Sequence, residues 1–184
     1  MALSSFSLVI LFLLPTISMS ISHHQPNTAL KSMHFTLYQH DNVNKTGFLI
    51  VVGVSGLVVN STASPLGSIF VLRDPLTATQ DPSSKLLGEI EGTSITSSFD
   101  GLDNLSIGKI TLNLKGHKGS ISILGSINNL IRPSDVPVVG GTGDFLFVQG
   151  YLGVSLVNFQ GANLIYKLEF HLYWPPYAAS AIMD

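Results

Sequence analysis

The sequence predicts an all-β fold, an antiparallel sandwich or barrel. Three observations carry that reading. The segment "LIYKLEFHLYW" (164–174) places Leu164, Tyr166, Leu168, Phe170, Leu172 and Trp174 on one face and Lys167, Glu169 and His171 on the other. That period of two belongs to a strand with one buried face. About eight such segments follow one another, punctuated by Gly, Pro and Asn, and no segment shows the apolar spacing of a helix. Eight is also the strand number at which an up-and-down barrel closes around a small ligand.

The elements follow in order. The N-terminus, "MALSSFSLVILFLLPTISMSIS", holds an apolar run from Leu8 to Leu14, then Pro15 and the small residues Ser18 and Ser20. It reads as a secretory signal peptide over 1–20, although no positive side chain precedes the run. The run is too short for a bilayer, which takes roughly 20 apolar residues, and no later segment reads as transmembrane. The mature chain is therefore expected to be soluble and secreted, beginning near Ile21. Residues 21–32 form a polar, flexible leader, and 33–184 form one domain.

"MHFTLYQHD" (33–41) alternates, with Phe35, Leu37, Gln39 and Asp41 on one face. "GFLIVVGVSGLVV" (47–59) is a long β-branched run, and "LGSIFVL" (66–72) is another. Proline cannot donate to a ladder, so Pro75 is expected to end the latter strand. "KLLGEIEGTSITSSF" (85–99) follows. In "SIGKITLNLK" (106–115), Ile110, Leu112 and Leu114 alternate with Lys109, Thr111 and Asn113. "GHKG" (116–119) reads as a hairpin turn returning into "SISILGS" (120–126). The glycines of "PVVGGTG" are expected to form a tight connection, ahead of a strand over 144–157.

Composition narrows the function classes. Charged residues make up 11% and the net charge is -2, which gives no pull toward nucleic acid. There is no cysteine, so thiol nucleophiles, iron–sulfur clusters and most zinc sites are excluded. His23, His24, His34, His40, His117 and His171 form no H-x-x-x-H or H-E-x-x-H pattern. No G-x-S-x-G elbow or dinucleotide fingerprint occurs. The Gly140-Gly141-Thr142-Gly143 stretch lacks the Lys-Ser/Thr of a phosphate loop and has no helix behind it. No cofactor is expected. Three sequons, at Asn44, Asn60 and Asn104, predict glycosylated surface loops.

"LYQHD" (37–41), "LGSIFVLRDPLT" (66–77), "KGSISILG" (118–125) and "VPVVGGTGDFLFVQGY" (136–151) occur in that order. Together they resemble the plant dirigent family, also called disease resistance response proteins, from about residue 33 to the C-terminus. The resemblance implies an eight-stranded antiparallel up-and-down β-barrel with a central cavity, usually a trimer secreted to the apoplast. It also implies a function without a redox centre. Such proteins hold phenoxy radicals, such as those of coniferyl alcohol, made by a separate laccase or peroxidase, and impose one stereochemistry on their coupling. Some relatives act instead on quinone methides in lignan or pterocarpan pathways. A non-catalytic barrel that binds a phenolic or terpenoid defence compound is the alternative.

Residues carry over one by one. Asp41 matches the family's Y-x-H-D aspartate and becomes the candidate proton donor. Phe35, Leu37 and Gln39 share its face and become candidate pocket residues. The family's pocket tyrosines fall at Ser94 and Thr96. A second acid falls at Ile127, and an arginine ahead of V-V-G-G falls at Ser134, with Arg132 as the candidate substitute two residues earlier. The arginine of the family's A-R-G-Y stretch is Gln149 here. Asp74, in "RDPLT", reads as a turn-forming or capping loop residue. Low charge and a β-rich apolar surface predict an oligomer, a trimer or dimer.

Overall fold

The computed structural model describes residues 31–54, 63–128 and 132–180. The expected signal peptide, the leader up to residue 30 and the Asn60 sequon lie outside the described residues.

Nine strands form one antiparallel sheet: β1 (Lys31–Asn42), β2 (Gly47–Val51), β3 (Ile69–Thr77), β4 (Leu86–Thr96), β5 (Asp103–Leu114), β6 (His117–Asn128), β7 (Ser134–Gly143), β8 (Gln149–Gln160) and β9 (Asn163–Trp174). A short helix, α1 (Tyr177–Ser180), follows. The order is β1-β9-β8-β7-β6-β5-β4-β3, and β1 also pairs with β3, so eight strands close into a barrel, while β2 pairs with the same edge of β3 farther along. Closure removes the exposed strand edges that an open sheet would present. The two sides of the seam differ in length. Lys31 through Asn42 register fully against Trp174 through Asn163. Against β3 only Tyr38 and Gln39 are registered, facing Thr77 and Leu76.

One half of the interior is solid. Leu37, Leu76, Ile110, Leu112, Ile121, Leu168 and Phe170 are buried together, and Phe35 stacks on Phe170 with ring centroids 4.4 Å apart. Phe145, Trp174 and Ala178 of α1 close that end. At the other end, where β1, β8 and β6 finish and β9 begins, smaller and polar side chains leave the lumen hollow.

Several sequence expectations are corrected. Pro75 does not end a strand, because β3 runs through it to Thr77. β2 registers against Ile69–Leu72 and β1 against Leu76–Thr77, so Pro75 falls in the gap between the two partners, where a missing N–H is tolerated. The glycine stretch is itself strand: Gly140 and Gly141 pair with Ser122 and Ile121. A Cβ on Gly141 would lie 2.3 Å from the Phe145 carbonyl oxygen, so the glycine lets the following turn fold back against the strand. Only Gly143 of this stretch has a left-handed backbone, with φ 60°. Residues 144–147 are turn rather than strand, and the Asp144 carboxylate accepts from the Lys118 backbone N–H at 2.7 Å. β2 stops at Val51, well short of the expected run, and β1 begins at Lys31, two residues before the expected boundary.

Candidate functional site

Inward-facing residues of β1 and β3 build the site. On β3, Phe70, Leu72, Asp74 and Leu76 alternate toward the lumen, and on β1 Leu37, Gln39 and Asp41 do so. The hollow end is a cavity of about 350 Å³, lined by Asp41, Gln39, Tyr166, Ser94, Asn104 and Ser106 among polar groups. Phe70, Leu72, Ile127, Val154, Phe159 and Leu164 supply apolar walls. That volume is near the lower end of small-molecule sites and suits one compact organic ligand.

Two carboxyls dominate its electrostatics. Asp74 is 0% exposed. Its Oδ2 accepts from Gln39 Nε2 at 2.6 Å, while its Oδ1 has no protein partner. Burial raises its pKa, and hydrogen bonds from Thr46 and Gln39 partly offset the rise. Asp41 is pushed up to about 7, first by desolvation and then by the nearby charge of Asp74. Its Oδ1 is also buried without a partner. Tyr166, on the β9 residue opposite Gln39, has its phenol raised further by burial and by both aspartates, so it remains a neutral O–H donor. The site therefore offers a protonated acid near neutral pH beside an apolar wall, which suits general acid chemistry.

The backbone leaves room for that acid. Asn44 adopts φ 68° in the β1–β2 turn, and Thr46 Oγ1 accepts from the Asn42 N–H at 2.9 Å. The turn brings Gly47 over Asp41, where a Cβ would lie 2.6 Å from Asp41 Oδ1.

The expected residues separate into three groups. Asp41, Gln39 and Ser94 line the cavity, and Ser94 Oγ lies 3.2 Å from Ser106 Oγ. Phe35 and Leu37 share the inward face but belong to the packed core. Thr96 is buried beyond the lining with its hydroxyl unpartnered. Ser134 lies opposite Val154, and its Oγ accepts from the Asn128 N–H at 2.9 Å.

Arg132 does not replace the family arginine in the cavity. Its side chain is 70% exposed and lies 3.7 Å from Asp103 Oδ1, outside the lining. Gln149 sits near the closed end and donates to the Tyr177 hydroxyl at 3.1 Å. Ile127, at the place of the family's second acid, does face the cavity. Among the described residues, no cationic side chain lines the cavity.

Two residues were misjudged from sequence. Asp74 is neither loop nor cap but a buried lumenal acid, hidden by the assumption that Pro75 stops the strand. Asn104 is not a surface loop residue: it is 2% exposed in β5 and turns its amide into the cavity, with Oδ1 unpartnered. Extending the alternation of Leu112 and Ile110 backward through Gly108 and Ser106 reaches Asn104 on the inward face. Asn44, by contrast, is exposed in its turn. Among the described residues, no group of three or more His, Cys, Asp or Glu side chains is placed to hold a metal ion.

Comparison with known proteins agrees with this architecture. The family model described as "Dirigent-like protein" matches residues 32–173. A "Dirigent protein" of Sinopodophyllum hexandrum is 30% identical over 181 residues, covering 91% of this chain and 93% of that protein. "Pterocarpan synthase 1" of Glycyrrhiza echinata is 28% identical over 149 residues, covering 78% of each. A solved pterocarpan synthase dirigent protein superposes with TM-score 0.68 at 25% identity, over 78% of this chain and 96% of that one. With the closed eight-stranded barrel and the matched span, this chain belongs to the dirigent-like family.

Proposed function

We propose that the chain is a dirigent-type stereocontrol protein whose barrel holds one neutral phenolic intermediate while Asp41 supplies a proton. The observation that carries this is the Asp41 carboxyl, its pKa raised to about 7, with Oδ1 buried and unpartnered, on a residue that lines an apolar-walled cavity. A lining with no cation among its described residues disfavours a bound phenolate, because an anion would lie beside Asp41, with Asp74 behind it, and no lining charge to balance it. A quinone methide or a phenoxy radical is uncharged and fits.

Two substrates fit this description. In the first reading a separate laccase or peroxidase oxidises coniferyl alcohol or a similar phenol. The barrel then presents one face of the radical, and tenfold selectivity requires only about 1.4 kcal/mol of preference between the two approaches. In the second, a quinone methide closes on an internal hydroxyl. Asp41 donates its proton to the quinone methide oxygen, which becomes the phenol, and the attacking hydroxyl's proton returns to the carboxylate. Proton donation favours the second reading, since radical coupling itself needs no acid. The pterocarpan synthase among the relatives is consistent with it. Secretion to the apoplast, a glycan on Asn44 and assembly into trimers accompany the proposal.

The test runs two reactions with chiral analysis of the products. One combines coniferyl alcohol with a non-selective one-electron oxidant; the other uses a racemic isoflavanol that loses water to a quinone methide. Enantiomeric excess in either supports stereocontrol, and its loss in Asp41→Asn in the quinone-methide reaction supports the acid role of Asp41. Racemic products from both, at the rates seen without protein, reject it in favour of a binding barrel.

A further inference from the structure

Outside the barrel, His34 on β1 and His171 on β9 are directly opposed cross-strand partners. Their Nδ1 atoms lie 3.1 Å apart. The Tyr151 ring of β8 stacks on His171 with centroids 4.5 Å apart and planes 10° from parallel, which fixes the imidazole's orientation. Neither imidazole has another hydrogen bond among the described residues. Strand alternation places this pair on the opposite face from the Phe35–Phe170 stack, so it is separate from the cavity.

We infer that His34 and His171 form a surface chelate for a divalent transition metal ion, completed by water. Metal–imidazole bonds of about 2.0–2.1 Å, at angles between square and tetrahedral, hold two nitrogens about 2.9–3.4 Å apart. The observed separation lies in that range without any movement of the strands. Imidazole donors suit copper, nickel and zinc, and the divalent series reaches its maximum at Cu²⁺, which is therefore the ion held most tightly. In the empty site one Nδ1 donates a hydrogen to the other. On metal binding that proton leaves Nδ1, and Nε2 of the same ring takes one up from solvent. Both rings then remain neutral, each protonated at Nε2 and bound through Nδ1. Glu169 shares the outer face two residues from His171 but is paired with Lys167 at 2.7 Å, and Asp135 lies beside it across Gly153. The bound ion ties the first strand of the barrel to the last.

The experiment titrates tag-free full-length chain with CuCl₂ by calorimetry near pH 7.5. His23 and His24 are first replaced by Gln, because adjacent histidines in the leader would compete. In that background the expected result is one Cu²⁺ per chain, with affinity falling at least tenfold in His34→Gln and in His171→Gln. Electron paramagnetic resonance of the same background should show two imidazole nitrogens on copper. Unchanged affinity in both variants overturns the inference, and so does disappearance of binding when His23 and His24 alone are replaced. Should either variant fail to fold, fewer than two coordinated imidazoles in the parent spectrum overturns it.

Discussion

Asp41→Asn should stabilise the barrel at neutral pH while removing its acid. The carboxyl titrates near 7 rather than 3.8, so the folded state holds a proton that the unfolded chain releases. Between about pH 4 and pH 7 the folded state therefore binds more protons, and wild-type stability falls as pH rises through that window. Below it both states are protonated and the penalty vanishes; above it the penalty is complete and constant. Each pH unit of displacement is worth about 1.4 kcal/mol, which puts the full penalty at about 4 kcal/mol. Asp41 is only partly buried and reaches solvent through the cavity, which lowers the figure to about 2 kcal/mol. Asn carries no such penalty. Asp74 is shifted in the same direction and is retained in the variant, so the informative quantity is the difference between the two proteins. Urea unfolding followed by fluorescence of Trp174, the sole tryptophan and a buried one, reads it directly. The variant's advantage should grow by about 2 kcal/mol from pH 4 to pH 8. A difference that stays flat within about 0.5 kcal/mol over that range would refute the assignment of Asp41 as a protonated acid.

Four further outcomes are expected. Asp74→Asn removes the like charge that helps hold the Asp41 proton, so the pH limit of any Asp41-dependent reaction should move toward acid in a rate profile. Gly47→Ala drives a methyl into Asp41 Oδ1 and should abolish stereoselectivity while circular dichroism still reports a folded barrel. Phe170→Ala empties a fully packed position stacked on Phe35 and should cost about 3–5 kcal/mol in denaturant unfolding. Expressed in a secreting plant or yeast host, Asn44→Gln should remove a glycan mass seen by mass spectrometry, whereas Asn104→Gln should change none.

The strands that were legible in the sequence were those whose alternation was undisturbed. In β1 and β9 the alternation groups the faces correctly: Gln39 and Asp41 share a face with Phe35 and Leu37, and the closed barrel turns that face inward. The misread places share one cause: a local rule was applied without the sheet around it. Pro75 breaks a ladder only where a neighbour needs its N–H, and the gap between β1 and β2 makes no such demand. Glycines mark turns only where the backbone is left-handed, and Gly140 and Gly141 are extended and paired. The sequon at Asn104 specifies a triplet, not exposure, and the inward phase of β5 overrides it. Arg132 illustrates the converse error. Two-residue spacing from Ser134 gave it the right face on paper, but it precedes β7 and turns outward to Asp103.

The absence of an arginine among the described lining residues, read from sequence as a loss, has a different meaning once Asp74 is found on the inward face of β3. A guanidinium beside Asp41 would hold it ionised and make it a poor donor. Here its neighbour is a second carboxyl. An Oδ1 atom of each is unpartnered, but the two differ otherwise: Asp74 takes hydrogen bonds from Gln39 and Thr46, which favour its charged form, whereas burial and the Asp74 charge raise Asp41 with no offsetting hydrogen bond. The first proton to leave the pair is therefore lost from the Asp74 side, and the charge it leaves behind retains the second on Asp41. Asp41 lines the cavity and Asp74 does not, so the retained proton belongs to the carboxyl on the cavity side. Gln39 is thus a positioning residue. By donating to Asp74 Oδ2 it divides two like groups into one that stays charged and one that can donate, and a cavity with no cation among its described lining residues keeps a usable acid at neutral pH.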